Sequence, residues 1–302
     1  PPKKDKEKKT KFEIDRNKIA VIYATGGIES GTSGDEAIGS DTYLKAIRAA
    51  REDSSVKAIV LRVNSPGGSA LASDVIWRET VLAKQSKPVV VSMGDVAASG
   101  GYYISCAADK IFAMPNTITG SIGVFGVIPN MKGFFNNKLG ITFDGVKTDQ
   151  YADFPDIARP MTAGEERILQ KSVDDIYHVF LTRVSEGRNI PLERVDSIGQ
   201  GRVWSGMDAI GLGLVDEVGG LDAAIREAAI MADIEDYDLR DYPERKDPLE
   251  QLFKQLTGAN LRTTVGRMLL DDPDLTRYYQ DLESVKSMKG VQARIPYMIH
   301  VD

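Results

Sequence analysis

The sequence predicts a layered α/β fold built on mostly parallel strands, and three features carry that reading. Short, β-branched apolar runs closed by proline or glycine, such as "VKAIVLRVNSPGG" and "KPVVVSM", read as buried strands. Segments of helical spacing and helical length separate them, which is the rhythm of consecutive β-α-β units. The 302 residues are enough to bury a sizeable core, in one large domain or two smaller ones.

Taken in order, "KIAVIYATGGI" is the first strand, ended by its glycines. "SDTYLKAIRAAREDS" follows as a helix, with Ser40 or Asp41 as the expected N-cap. "VKAIVLRVNSPGG" is the second strand, "SALASDVIWRETVLAKQ" the next helix and "KPVVVSM" the third strand. "DKIFAMP" and "GITFDGVKT" are expected to add two short strands. From "MTAGEERILQKSVDDIYHVFLTRVSEGR" onward the pattern is helical, and Thr162 followed by Glu165 has the spacing of a capping box. "WSGMDAIGLGLVDEVGGLDAAIREAAIMA" reads as a short helix, a turn or strand, and a further helix. Helices of weaker pattern are expected after "YPERKDPLEQLFKQLTG". The closing "VQARIPYMIHVD" reads as extended, either added to a sheet edge or groove or left as a disordered tail.

Composition excludes several classes. A net charge of -6 gives no overall electrostatic reason to bind nucleic acid. The local exception, "PPKKDKEKKTK", reads as a solvated linker or as a membrane-surface contact. No window approaches the roughly 20 apolar residues of a membrane span, and no signal-peptide pattern precedes the first strand, so the chain as given is expected to be soluble. One cysteine, Cys106, rules out an internal disulfide. With only His178 and His300 beside it, a structural zinc site is not expected, nor is any cofactor.

Chemistry concentrates at two glycine-bearing turns, "NSPGGS" and "AASGG". Turns at the carboxyl ends of parallel strands line one edge of a sheet, where ligands bind. Ser99, between an apolar run and Gly100–Gly101, sits at a strand-to-helix junction, a position that suits an exposed nucleophile and equally a plain N-cap. Gly67, Gly68 and Gly100 are candidate backbone donors to an oxyanion, a contribution of about 3 kcal/mol per donor in acyl-transfer enzymes. The same turns also read as tight turns without a ligand. Ser99 is not in a G-x-S-x-G elbow. His178 lies within a helical pattern and His300 two residues from the end, so neither is a persuasive base. A nucleophilic Ser99 would then need a lysine, desolvated so that its amine is neutral.

"VNSPGGSA", "VAASGGYYIS", "TGSIGVFGV" and "GQGRVWSGMDAIGLGLVDEVGGLDAAI" occur in an order that resembles the signal peptide peptidase A family of bacterial serine peptidases. The resemblance runs from about Ile19 to Ala232 and more loosely into "QARIPY". It implies a ClpP/crotonase-like fold with a helical C-terminal extension. It also implies Ser99 as nucleophile, Gly67 and Gly68 as oxyanion donors, and Ser121 of "TGS" as the group that orients a lysine amine. The short form of the family carries that lysine in a K-S-G-x-x-K-D stretch. Here the matching segment is "KTDQYADFP", with Lys147 on the first lysine and Ala152 where the catalytic one belongs. The long form, made of two related halves, takes its lysine from the N-terminal half, and this chain resembles the serine-bearing C-terminal half.

The resulting expectation is a basic linker over 1–17, a peptidase domain over 18–234, and a C-terminal helical extension and tail over 235–302. The resemblance implies a Ser/Lys endopeptidase acting on cleaved signal peptides and other extended apolar peptides, with Val124–Phe135 as the groove wall. The base would come from a lysine-bearing half or a neighbouring subunit, so the chain alone is expected to be nearly inactive; Lys147 is the in-chain alternative. A homo-oligomer is implied, as is attachment to the bacterial inner membrane through a preceding anchor, with the catalytic part periplasmic or otherwise extracytoplasmic. Two other readings stay open: a crotonase-like acyl-thioester enzyme, and a non-catalytic scaffold half.

Overall fold

A computed structural model describes residues 17–33, 37–242 and 291–294. The lysine-rich start, the helices expected after Tyr242 and His300 fall outside the described residues. The chain opens with β1 (Lys18–Thr25), β2 (Gly27–Glu29) and β3 (Ala37–Gly39), then α1 (Ser40–Glu52), β4 (Val56–Ser65), β5 (Gly67–Ser69) and α2 (Ala70–Lys84). β6 (Val89–Ala98), α3 (Gly100–Ser105), β7 (Lys110–Ala113), β8 (Ile118–Gly120) and β9 (Phe125–Gly126) follow. A single turn, α4 (Lys132–Phe134), runs into a π-helix at Phe135–Leu139. The long α5 (Ala163–Arg188) leads to α6 (Leu192–Ile198), β10 (Val203–Ser205), α7 (Gly206–Gly211), β11 (Glu217–Val218), α8 (Leu221–Met231), β12 (Asp238–Tyr242) and β13 (Val291–Arg294).

The main sheet has the order β10-β8-β6-β4-β1-β12, with β7 also on β6 and β11 on β7. Every pair in it is parallel except β10 with β8. The expected α/β layering is therefore present. Alternation explains why the strands read as uniformly apolar. Ala20, Ile22, Ile59, Leu61, Val89 and Val91 belong to one core cluster, and Ile19, Val21, Ala58, Val60 and Val90 belong to another. Successive side chains point to opposite faces, and both faces are covered. α8 closes the second face with Ala224, Ile225, Ala228 and Ala229, one i, i+1, i+4, i+5 stripe.

A second sheet, β3-β2-β5-β13-β9, lies beside the first. Its last three members are antiparallel neighbours: β13 pairs with β5 on one side and with β9 on the other. Residues 291–294 of the closing segment are thus an inner strand of this sheet, and 295–302 lie outside the described residues.

Local expectations met the structure unevenly. Thr162 and Glu165 form a complete capping box at the start of α5. The α1 cap differs: Gly39 is the N-cap, and the Ser40 hydroxyl accepts the Gly31 N–H at 3.0 Å because β3 carries the chain straight into the helix. "GITFDGVKT" forms no strand. Its apolar residues Ile141, Phe143 and Val146 are exposed, and without a neighbouring edge a β-patterned run has nothing to pair with.

Candidate active site

β6 ends at Ala98, whose register partner on β8 is Gly120. The next residue on each strand is a serine. The Ser99 N–H donates to the Gly120 carbonyl at 2.8 Å, so parallel pairing delivers Ser99 and Ser121 side by side at the carboxyl edge of the sheet. Both serines have positive φ, 53° at Ser99 and 48° at Ser121. Such a conformation costs a non-glycine residue about 1–3 kcal/mol and persists only where the surroundings impose it. A sharp strand-to-helix turn at a serine is thus present without the G-x-S-x-G motif.

α3 is the anvil behind Ser99. All of its residues are buried. The Tyr102 hydroxyl donates to the Leu214 carbonyl at 2.9 Å and the Tyr103 hydroxyl to Asp74 Oδ1 at 2.7 Å. Burial pushes the Cys106 thiol up to about 12 and both phenols well above their ordinary range, so this helix offers an unionised, low-dielectric floor and no base. The second glycine of "SGG" has a packing reason: a Cβ on Gly101 would stand 2.7 Å from the Ser65 carbonyl oxygen.

Ser65 ends β4 and faces Ala97 across the sheet, which brings the "SPGG" turn to the same edge. The Gly67 N–H donates to Ser65 Oγ at 3.1 Å, so Gly67, one of the expected oxyanion donors, already has its donor engaged. Gly68 lies against β2, where a Cβ would stand 2.0 Å from the Ile28 carbonyl oxygen. Gly100 is the first residue of α3, a position whose N–H has no acceptor within the helix.

The expected exposure of the nucleophile is not found. Ser99 is 0% exposed, and its Oγ is buried with no hydrogen-bond partner among the described residues. Leaving such a hydroxyl unpaired costs about 1–3 kcal/mol.

None of the candidate bases among the described residues is hydrogen-bonded to Ser99 Oγ. Lys147 does not hydrogen-bond to its Oγ; its Nζ pairs with Asp153 Oδ2 at 2.7 Å on an exposed stretch. Arg159 first, and Lys147 after it, hold the Asp153 carboxyl well below the usual carboxylate range. Ala152 sits in an exposed turn and its methyl can accept no proton. His178 is exposed on α5. Among the described residues no group of three or more His, Cys, Asp or Glu is placed to hold a metal ion.

A cleft of about 380 Å³ opens beside Ser121, lined by Ser121, Gly123, Val124, Phe125, Gln170, Val173, Asp174, Tyr177, Gln200 and Gly201. Val124 and Phe125 are the part of the expected wall that reaches it; Val127 and Phe134, farther along, are exposed. The α5 side of the cleft escaped the sequence reading, because Gln170 and Tyr177 look like ordinary helix-surface residues. Gln200, also at positive φ (57°), lies in "GQGRVWSG", where no local pattern marks a role. Its N–H donates to the Tyr177 hydroxyl at 2.9 Å, and that hydroxyl donates to Asp196 Oδ1 at 2.8 Å.

The comparisons agree with this geometry. Residues 82–235 match Peptidase family S49, and residues 18–119 match the Clp protease family. Protease 4 of Salmonella typhi is 43% identical over 242 residues, covering 80% of this chain and 39% of its own length. The chloroplastic serine protease SPPA of Arabidopsis thaliana is 40% identical over 225 residues, 72% of this chain and 33% of its own. A putative protease of Synechocystis is 36% identical over 245 residues, 81% of this chain and 84% of its own length. The chain thus spans 33–39% of the longer relatives' length and most of the shorter one's. No helix among the described residues is long and apolar enough to cross a membrane. A Clp-protease-like α/β sheet with paired serines at its carboxyl edge, matched over more than half the chain, places this protein in peptidase family S49.

Proposed function

We propose that the chain is the serine-bearing part of a Ser/Lys endopeptidase that cleaves extended apolar peptides, among them spent signal peptides. The observation that carries this reading is the Ser99–Ser121 pair, held at positive φ on adjacent parallel strands and joined by the Ser99 N–H to Gly120 bond. Ser99 Oγ attacks the peptide carbonyl carbon and gives its proton to a lysine amine that Ser121 orients. The Gly68 and Gly100 N–H groups hold the oxyanion that forms. Collapse expels the peptide amine, which takes the proton from the lysine, and water then hydrolyses the acyl-serine ester.

The lysine comes from another segment or subunit. Ala152 in its place, and the commitment of Lys147 to Asp153, support that assignment. The apolar floor around α3 favours a neutral amine there. Association through the exposed arm at 127–160 brings the base to Ser99, and the assembly works at the outer face of the bacterial inner membrane.

A serine-directed acylating reagent tests the chemistry in the complete enzyme. Stoichiometric adduct on Ser99, lost in Ser99→Ala together with at least about 10³-fold of the activity, is the expected result. Full peptide cleavage by Ser99→Ala would overturn it and return the thioester and scaffold readings.

A further inference from the structure

Ser121 stands at φ 48°, a backbone conformation that a serine keeps only where its surroundings impose it. The element that imposes it is the loop between α6 and β10. The antiparallel register of β8 with β10, Gly120 opposite Val203, runs on past the strand ends. The Ser121 N–H donates to the Arg202 carbonyl at 2.7 Å, and the Gly201 N–H donates to the Ile122 carbonyl at 2.8 Å. The two segments lie so close that a Cβ on Gly123 would stand 2.7 Å from Gly201 Cα.

That loop needs fastening of its own. Gln200 and Gly201 are both left-handed, at φ 57° and 76°, which is unfavourable for the residue that carries a Cβ. Trp204 Nε1 donates to the Ile198 carbonyl at 3.0 Å and Arg202 Nη1 to the Ser197 carbonyl at 2.9 Å, both within the loop and its flanks. Tyr177 comes from α5 instead, and its hydroxyl accepts the N–H of Gln200 itself at 2.9 Å. The single proton of that hydroxyl goes to Asp196 Oδ1 at 2.8 Å, which turns a lone pair toward Gln200. Burial first, and the bond to Asp196 after it, push the phenol up to about 12, so it is protonated at neutral pH. Tyr177 and Ser121 also line the same cleft.

We propose that Tyr177 is a positioning residue for Ser121: its hydroxyl, oriented by Asp196, pins Gln200, and the backbone at 201–202 carries that constraint to residues 121 and 122. The inference rests on reading Ser121 as the group that orients the lysine amine. A Ser121 released from its conformation leaves the amine misaimed at Ser99 Oγ, so the effect falls on kcat and not on KM.

The complete enzyme, with its lysine-bearing part, is compared as wild type, Tyr177→Phe, Ser121→Ala and the double variant, on an extended apolar peptide. Tyr177→Phe keeps the ring and removes only the hydroxyl. It is expected to lower kcat about tenfold with KM unchanged. In the Ser121→Ala background the same change is expected to cost nothing further, because both act through one group. Amide hydrogen exchange over residues 118–124 is expected to quicken about tenfold in Tyr177→Phe. A residue that merely stabilised the fold would lower Tm and leave kcat and this coupling untouched. If exchange over 118–124 is unchanged and the two kcat losses multiply, the positioning role falls and the peptidase reading stands. If exchange quickens while no form, wild type included, cleaves the peptide, the tie between Tyr177 and Ser121 stands and the peptidase reading falls. Wild-type kcat in Tyr177→Phe, beside an impaired Ser121→Ala, would overturn the proposal.

Discussion

The sheet edge around Ser99 and the arm at 127–160 that follows it satisfy their apolar residues in opposite ways. At the edge, α3 buries Tyr102, Tyr103 and Ile104 almost completely, and the strands feeding it are covered on both faces. In the arm, Val127, Phe134, Leu139, Ile141 and Phe143 are about half exposed and Val146 is 101% exposed. Phe135 touches Phe134 and Phe143, at centroid distances of 5.8 and 5.0 Å, so the arm has an aromatic knot but no core. The arm is tied to α5 by Arg159, whose Nη1 donates to Glu165 Oε2 at 2.8 Å and whose Nη2 reaches Asp153 Oδ1 at 3.0 Å. The contrast teaches where this protein is self-sufficient. It holds its serine rigidly by itself, and it leaves the neighbouring surface unfinished in the manner of an interface.

The largest effect is expected from disturbing the rigid side. Gly101→Ala puts a methyl against the Ser65 carbonyl oxygen, where neither backbone can yield easily. We expect a loss of about 1–3 kcal/mol of stability in chemical denaturation. We also expect an activity loss of about 10²-fold in the complete enzyme, from displacement of Ser99. Wild-type activity in this variant would mean that the α3–Ser65 contact does not position the site.

A smaller effect, and of another kind, is expected from the arm. Val146→Asp should change the chain's own stability by no more than about 0.5 kcal/mol. It should weaken self-association, measured by analytical ultracentrifugation, about tenfold. Unchanged association would remove the arm from the interface and erase the contrast with the Ser99 edge.

The smallest concerns the tie between the two regions. Arg159 first, with Thr162 contributing, holds the buried Glu165 carboxyl down to about 2, from an ordinary 4.5. A depressed carboxylate stabilises the fold fully above its unfolded value and loses that contribution as pH falls toward its folded value. The gap in Tm between wild type and Arg159→Met should therefore be full at pH 7 and close between about pH 4.5 and 2. A gap independent of pH would show that Arg159 acts through packing alone.

Much of the sheet was legible in the sequence, because a parallel strand covered on both faces has to be apolar at successive positions, as "VKAIVLRV" is. Ser99 and Ser121 were legible as motif residues, yet their placement on adjacent strands depends on the Ala98–Gly120 register, which no local pattern encodes. "GITFDGVKT" misled because the apolar spacing that suits a strand also suits a surface kept for a partner. The Gly67 donor is occupied by Ser65 Oγ, and the Ser99 hydroxyl is buried at the folded sheet edge. Both are tertiary facts that lie beyond any sequence window.

The central claim, that Ser99 depends on an amine from outside this chain, is tested most directly by reconstitution. The purified chain, alone and mixed with the lysine-bearing part, is assayed on a fluorogenic extended apolar peptide. The account predicts no cleavage by the chain alone, cleavage on mixing, and none on mixing with Ser99→Ala. Vigorous cleavage by the chain alone, abolished by Lys147→Met, would contradict it and assign the base to Lys147.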